Sequence, residues 1–457
     1  MKHSFSILLL VAVSSFLGSF LGSAVNIALP QIEKDFLLNS LQLSWIVTAF
    51  LLSTAMFLLP VGKLGDIVGI KVIFKIGLVI FSIASMLCAL SFSGTQLIIF
   101  RFFQGIGAAF VSTTGPAILV SEFPPQKRGR VLGISVSAVY LGLALGPILG
   151  GVIAFYFGWK TLFYLSAAIG TVILFPAFSI LQKNTKDFKT VNYNKQTFRN
   201  VILFLLGLPL LIYSTTQFPK VHGWILFLTG LTLLSFYIFL EKKSEFPAFE
   251  VKLFFKNRIY LFSNLAALIN YSATFAIIFM LSLYLQKVKH LSPREAGMIL
   301  VFQPVIMAIF SPITGRLSDK IQPRYLASLG MLFCSIGLLG FSFLTETSSI
   351  FFIIALLVIV GFGIALFSSP NMNTIMSSVS KQYYGQASGT AATMRVLGQI
   401  FSMSIVAIFF VVFFGKTAVN QIENEIFLRA EKFIFLILSF ICIIGMILSF
   451  YRGKLER

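Results

Sequence analysis

Two arginines stand inside apolar runs of this chain. Arg101 is seven residues into one run, with Gln104 three positions on and therefore on the same helical face; Arg395 is six residues into another. A charge at mid-bilayer costs roughly 2.5–3.5 kcal/mol on insertion scales unless it finds a partner, water or the membrane boundary. Arg101 is therefore expected to face a central cavity with Gln104, and snorkelling to the boundary is the competing explanation for both arginines. Asn26, Tyr140, Asn264, Asn270, Gln303, Asn371 and Asn373 are polar groups inside or near the ends of apolar runs. Each needs a hydrogen-bond partner that either a substrate or a neighbouring helix can supply. These residues are the candidate small-molecule contacts. Catalytic chemistry finds no comparable set. His3, His222 and His290 are scattered outside the apolar runs, and Cys88, Cys334 and Cys442 each lie inside one. No disulfide framework, CxxC pair or metal cluster can be assembled from them, so no cofactor, no metal and no enzyme activity is expected.

The elements that must position these side chains are membrane helices. The chain has 457 residues, 57% hydrophobic and 11% charged, and its mean hydropathy of +0.94 excludes an ordinary water-soluble domain. Applying a length of about 20 residues per crossing, apolar runs fall near 5–27, 41–61, 72–92, 95–117, 131–153, 161–181, 200–217, 223–240, 259–285, 294–314, 325–344, 350–370, 390–414 and 433–451. That is an all-α integral membrane protein with fourteen spans; continuous rather than alternating apolarity argues against a barrel. Pro209 interrupts the seventh run. The net charge of +20 comes from basic residues spread through the connecting segments, which form no patch with interleaved aromatics for nucleic acid. Their distribution favours both termini in the cytoplasm of a multi-pass cell-membrane protein, plasma or inner, with Lys127 and Lys186 inside and Lys220 and Lys416 outside. The first run could alternatively be a signal peptide cleaved at Gly-Ser-Ala, 22–24, but its removal would invert the charge pattern of every later loop.

The chain also resembles itself. At an offset of 253, Gly62-Lys63-Leu64-Gly65-Asp66 meets Gly315-Arg316-Leu317-Ser318-Asp319, Lys71 meets Arg324 and Gly77 meets Gly330; at 256, Gly129, Gly133 and Gly142 meet Gly385, Gly389 and Gly398. Two six-helix bundles, 1–181 and 259–451, follow from this, with a two-helix insertion at 199–240. Repeated halves around a midplane cavity are the architecture of transporters that rock one bundle against the other. In the first loop, Asp66 stands among Lys63, Lys71 and Arg130, where a carboxylate can make charge-assisted hydrogen bonds; a solvated turn is the plainer alternative. Gly142, Gly146 and Gly150 recur every four residues beside Pro147, a face that lets another helix approach closely.

Gly62 to Lys71 resembles the loop signature between helices 2 and 3 of the major facilitator superfamily. Leu97 to Ala108, with Arg101 and Gln104, looks like its fourth-helix motif. Gly142 to Gly151 looks like the fifth-helix motif associated with antiporters, and Val25-Asn26-Ile27-Ala28-Leu29-Pro30 resembles the first-helix motif of the fourteen-span drug:proton antiporters. The resemblance covers nearly the whole chain. It implies that Gly62, Asp66, Lys71, Arg130 and Asp319 form latches that hold the bundles together on the cytoplasmic side in the outward-facing state, and that Gly142, Gly146, Pro147 and Gly150 form a hinge or seal. It also implies a monomer in the lipid bilayer that exports amphipathic small molecules, with protons as candidate coupling ion.

One position departs from that family. Its members usually carry an aspartate nine residues before the proline of the first-helix motif, and here that position is Leu21. All fifteen acids read as lying at helix ends or in loops, leaving Glu33 and Asp35 as the acids nearest the first span's functional end. Proton coupling and recognition of cationic drugs both lose their usual buried carboxylate. An anionic or lipid-like metabolite handled by Arg101 and Arg395 is the alternative substrate reading.

Overall fold

The computed structural model describes residues 2–38, 40–181, 195–215, 221–244, 247, 250–414 and 423–455. Lys186, Lys220 and Lys416, which mark the expected sidedness, lie outside the described residues, as does the side chain of Pro30. Among the described residues there is no strand. The chain runs through α1 (Lys2–Phe36), α2 (Ser40–Val68), α3 (Ile70–Ala89), α4 (Gly94–Glu122), α5 (Pro125–Phe157), α6 (Lys160–Ile180), α7 (Lys195–Thr215), α8 (Val221–Lys243) and the short α9 (Val251–Lys256). It continues through α10 (Arg258–Thr274), α11 (Ala276–Leu283) with a π-helical turn at Tyr284–Val288, α12 (Pro293–Leu300), α13 (Phe302–Ser318), α14 (Pro323–Phe341), α15 (Ile350–Ser377), α16 (Tyr384–Phe414) and α17 (Asn424–Tyr451). Thirteen helical stretches among the described residues are long and apolar enough to cross a bilayer; where the seventh of fourteen spans is expected, the apolar helix Arg199–Leu211 is shorter. The protein is a multi-pass membrane protein.

Local chemistry sets the helix ends. Ser93 and Ser349 accept from the N–H groups of Gln96 and Phe352, and Ser292 with Glu295 forms a reciprocal capping box. Pro125 and Pro323 begin α5 and α14, where their missing N–H costs nothing. Gly69, with φ of 103°, makes the one-residue break between α2 and α3 that a residue with a side chain would resist.

Contacts divide the chain into two compact units that are not sequence halves. One comprises Met1–Pro124, Gly142–Asn257 and Val379–Thr393; the other comprises Pro125–Leu141, Arg258–Ser378 and Met394–Arg457. The division falls inside α5 and inside α16, whereas the sequence repeat places boundaries between helices. In the first unit α3 and α4 meet backbone to backbone: a Cβ on Gly77 would stand 2.5 Å from Phe110 Cβ, and one on Gly107 2.5 Å from Phe81 N. The same unit carries the α7–α8 pair, joined by Asn200 Nδ2 donating to Glu241 Oε1 at 2.9 Å and set against α2 by Tyr213, whose ring lies 6.1 Å from that of Trp45. In the second unit α14 and α15 meet in the same manner, a Cβ on Gly330 falling 2.5 Å from Gly363 O. Its core includes Ile277, Met280, Leu281, Leu338, Phe341 and Phe435, with the last two rings 5.3 Å apart.

Candidate functional site

The two aspartates of the repeated loop have matching partners. Asp66, two residues before the end of α2, accepts from the backbone N–H of Gly385 at 2.7 Å and of Gln386 at 2.9 Å, in the first turn of α16. Asp319, at the end of α13, accepts from Gly129 N–H at 2.7 Å and Arg130 N–H at 3.0 Å, near the start of α5. Each carboxylate thus accepts from two consecutive backbone N–H groups within the first two turns of a helix, a charge-assisted arrangement. A side chain on the receiving residue would block it: a Cβ on Gly385 would stand 2.6 Å from Asp66 Oδ1, and one on Gly129 2.6 Å from Asp319 Oδ1. The two self-matches found separately in the sequence are therefore joined, each loop acid to a glycine of the other match.

The expected basic partners are corrected by this geometry. Lys71 pairs with Glu122 at 2.6 Å rather than with Asp66. Arg130 contributes its backbone N–H to Asp319, and its side chain is exposed. Of the three expected cations, Lys63 is the one whose charge reaches Asp66. Lys63 also faces Glu250, whose carboxyl is pushed up by partial burial against the opposing charges of Lys63 and Lys252.

Gly142, Gly146 and Gly150 lie against α1. Cβ atoms there would stand 2.6 Å from Phe16 O, 2.6 Å from Ser23 Cβ and 2.5 Å from Ala24 Cβ, and Ser23 Oγ donates to Leu143 O at 3.3 Å. Pro147 sits within the same stretch of α5.

Arg101 is 1% exposed, in the interior of the first unit, instead of facing a cavity. Its Nε donates to Ile46 O at 3.1 Å, its Nη1 to Gln104 Oε1 at 2.5 Å, and Gln104 Nε2 passes the chain on to Ser85 Oγ at 2.6 Å. The guanidinium lies 4.3 Å from the centroid of Phe50 and 6.0 Å from that of Phe163. A carbonyl, an amide and two aromatic faces meet the guanidinium, while its Nη2 is buried without a hydrogen-bond partner among the described residues; Arg101 and Gln104 form an internal brace joining α2, α3, α4 and α6. Leu21, which replaces the family's first-helix acid, is likewise 1% exposed, whereas Asn26 is exposed.

The second unit gathers the other polar candidates. Tyr140 of α5 is within 2.9 Å of Ser368 Oγ on α15, and Tyr271 and Arg395 both act electrostatically on the same phenol. These four side chains, from α5, α10, α15 and α16, converge on one polar, aromatic and cationic locus with no acid among them. Asn371 Nδ2 donates to Ser263 O at 3.0 Å, Asn373 Nδ2 to Ser318 Oγ at 3.0 Å, and Asn264 Nδ2 to Tyr260 O at 2.9 Å. Asn270 and Gln303 are buried with amide atoms unpartnered among the described residues. Asn371 and Asn373 thus serve helix packing in this conformation, and Asn264 bonds only its own helix, with its Oδ1 unpartnered among the described residues, while the Tyr140 locus brings together candidates that the sequence scatters over 255 positions.

Buried charges were missed besides Glu241, which pairs with Asn200. Glu431 is 1% exposed, two turns into α17, with neither carboxyl oxygen hydrogen-bonded among the described residues; Tyr284 of the π-turn is near enough to sense it. The expectation that every acid lies at a helix end or in a loop is corrected here. Hydropathy begins the last span at 433, but the helix begins at Asn424, because Arg429 and Lys432 depress the apolar average while a buried face continues through Phe427 and Ala430. Arg452, just past the other end of α17, is also 1% exposed and donates to Asn371 Oδ1 at 2.7 Å.

The long apolar helices, closely packed at glycines and carrying buried polar loci, define a multi-pass α-helical membrane protein. The Major Facilitator Superfamily pattern matches residues 9–403, and the chain belongs to that family. It is 32% identical over 465 residues to the riboflavin transporter RibZ of Clostridioides difficile, covering 100% of this chain and 99% of that one. It is 26% identical to the multidrug resistance protein Stp of Mycobacterium tuberculosis, covering 92% of this chain and 79% of Stp. Among solved structures, the human organic anion transporter MFSD10 (TETRAN) aligns over 98% of this chain and 99% of its own with a TM-score of 0.70 at 14% identity. The proton:xylose symporter XylE aligns over 99% of this chain and 96% of its own with a TM-score of 0.67 at 15% identity.

Proposed function

We propose that the protein is a secondary active transporter of neutral or anionic amphipathic small molecules, working by alternating access from the cell membrane with both termini in the cytoplasm. The observation that carries the substrate class is the Tyr140, Tyr271, Ser368 and Arg395 locus: aromatic faces, hydroxyls and one cation suit a planar or anionic solute with hydrogen-bonding edges, and among the described residues no carboxylate acts on Tyr140 there to receive a cationic drug. The full-length similarity to a riboflavin transporter supports the same choice and makes riboflavin the first solute to test. The matching Asp66 and Asp319 contacts support two related halves, and release of both helix ends is the step that would open the cytoplasmic side.

A second reading, export of amphipathic drugs, is favoured by the similarity to multidrug resistance proteins. The two separate in proteoliposomes under an imposed pH gradient, with uptake of riboflavin, an anionic amphiphile and a permanently cationic dye compared side by side. Riboflavin or anion transport that is lost in Arg395→Gln, with weak transport of the cation, supports the first reading. Strong gradient-driven transport of the cation alone would refute it in favour of the second.

A further inference from the structure

The second unit carries a pair of arginines, Arg324 and Arg452, that form no salt bridge among the described residues. In the first unit, the basic residue opening the third helix is neutralised: Lys71 at the start of α3 is paired with Glu122, the last residue of α4. Arg324 holds the matching position at the start of α14, but α15, which packs on α14 as α4 packs on α3, ends at Ser377 with no acid in its last turn. Instead Arg324 donates from one Nη to Tyr325 Oη at 2.6 Å and lies 4.6 Å and 5.8 Å from the ring centroids of Tyr325 and Phe450. Its Nε is buried without a hydrogen-bond partner among the described residues.

The second guanidinium is brought there by the end of the chain. Gly453, with φ of 106°, turns the backbone after α17, and the Gln322 side chain clasps the Leu455 backbone, its Nε2 donating to Leu455 O and its Oε1 accepting from Leu455 N–H, each at 3.1 Å. This strap sets the end of the chain against Gln322, immediately before α14 and Arg324. Arg452 donates to Asn371 and, at 3.4 Å, to Ser263 Oγ, yet its Nη2 is buried and without a hydrogen-bond partner among the described residues. Arg324 is close enough that the two like charges repel. Nearby Asp319 offers no relief, since its carboxylate already receives two N–H groups.

Directly beneath this cationic end, an open groove of about 340 Å³ runs between α14 and α17. Tyr325, Leu329, Leu332, Met446, Ile447 and Phe450 line it, and its wall is almost wholly apolar. Tyr325 and Phe450 belong both to the groove and to the stack on Arg324, so the cationic and apolar parts form one continuous surface. Two buried, unsatisfied guanidinium donors call for an anion with several acceptor oxygens. An apolar channel leading away from them calls for a hydrocarbon tail on the same molecule. Tyrosines at the junction sit where amphipathic rings favour the headgroup level.

We propose that this surface binds one anionic phospholipid, with its phosphate on Arg324 and Arg452 and an acyl chain in the α14–α17 groove. A basic pocket between helix ends at the membrane boundary is the kind of place where acidic headgroups are recognised. Binding there ties the C-terminal strap to α14 and couples the second unit to lipid composition.

Native mass spectrometry of the full chain, purified in neutral detergent and supplied with dioleoyl phosphatidylglycerol or dioleoyl phosphatidylcholine, tests the assignment. The acidic lipid should be retained about thirtyfold more strongly, on the order of fivefold per guanidinium. Arg324→Gln should weaken its retention about fivefold. Leu329→Trp, which fills the groove and leaves both arginines in place, should weaken it as well, giving a second route should Arg324→Gln disturb folding. Arg429→Gln, at the other end of α17, should leave retention unchanged. Equal retention of the two lipids would overturn the proposal, as would indifference to both Arg324→Gln and Leu329→Trp. Displacement of the lipid by equimolar glycerol 1-phosphate would overturn it in favour of a soluble phosphate.

Discussion

Replacing Asp66 by asparagine keeps the side chain's shape while removing its charge and one of its two acceptors. The carboxylate receives N–H groups at 2.7 Å and 2.9 Å, and hydrogen bonds to a charged group contribute about 1.5–3 kcal/mol each. Losing one bond and the charge component of the other removes on the order of 2–4 kcal/mol, a shift of about thirtyfold to a thousandfold in any equilibrium between a conformation that makes this contact and one that breaks it. Because Asp319 makes the same contact with Gly129 and Arg130, Asp319→Asn should act in the same direction, and the double variant should approach the sum in free energy if the two sites are independent. The assay pairs proteoliposome uptake with the accessibility of single cysteines introduced at the two ends of α5, in a background lacking Cys88, Cys334 and Cys442. Transport should fall at least tenfold while the amount of folded protein is unchanged, and accessibility should redistribute between the two faces. Full transport by both single variants with unaltered accessibility would refute the reasoning and leave the loops as solvated turns.

Gly385→Ala places a methyl group 2.6 Å from Asp66 Oδ1 and 2.5 Å from Gly62 O; it should reproduce the Asp66→Asn phenotype, and normal transport would show that the contact is dispensable. Gly146→Val should lower the melting temperature, since its Cβ alone would stand 2.6 Å from Ser23 Cβ and overpacking costs about 1–3 kcal/mol; an unchanged melting curve would deny the close α1–α5 approach. Arg101→Ala should reduce folded yield and stability for every substrate alike, because it leaves the buried Gln104 Oε1 without its donor, at a cost of about 1–3 kcal/mol. Selective loss of anion transport at full stability would instead return Arg101 to the substrate path. Glu431→Gln, which preserves shape at a carboxyl with no hydrogen-bond partner among the described residues, should leave the melting temperature unchanged or higher; loss of pH-gradient-driven uptake in that stable variant would assign Glu431 a part in proton coupling.

Much of the scaffold was legible from one-dimensional features. Long apolar runs force helices because the bilayer offers no partner for free backbone groups, and the glycines at 77, 107, 142, 146, 330 and 363 mark places where side chains would keep helices apart. The spacing of the repeated loops even picked out Gly129 and Gly385 as a related pair. What spacing does not carry is which groups meet. Asp66 stands beside Lys71 and Arg130 in no tertiary sense: Lys71 goes to Glu122, and the acid finds backbone N–H groups some 320 positions away. A charge in an apolar run signals only that its desolvation must be offset. Whether a cavity, a lipid boundary or an internal brace offsets it depends on neighbours from other helices, and for Arg101 those proved to be Ile46, Gln104, Phe50 and Phe163. Hydropathy averaged over a window likewise hides a helix whose one face is charged and whose other face is buried, which is how Glu431 escaped. Composition and periodicity thus determined that this chain lies in a membrane and where its helices can touch. Tertiary packing decided how each charge is met, by an internal brace for Arg101 and by no acid among the described residues for Arg324 and Arg452, because electrostatic balance is a property of atoms within a few ångströms of each other in space and not of neighbours along the chain.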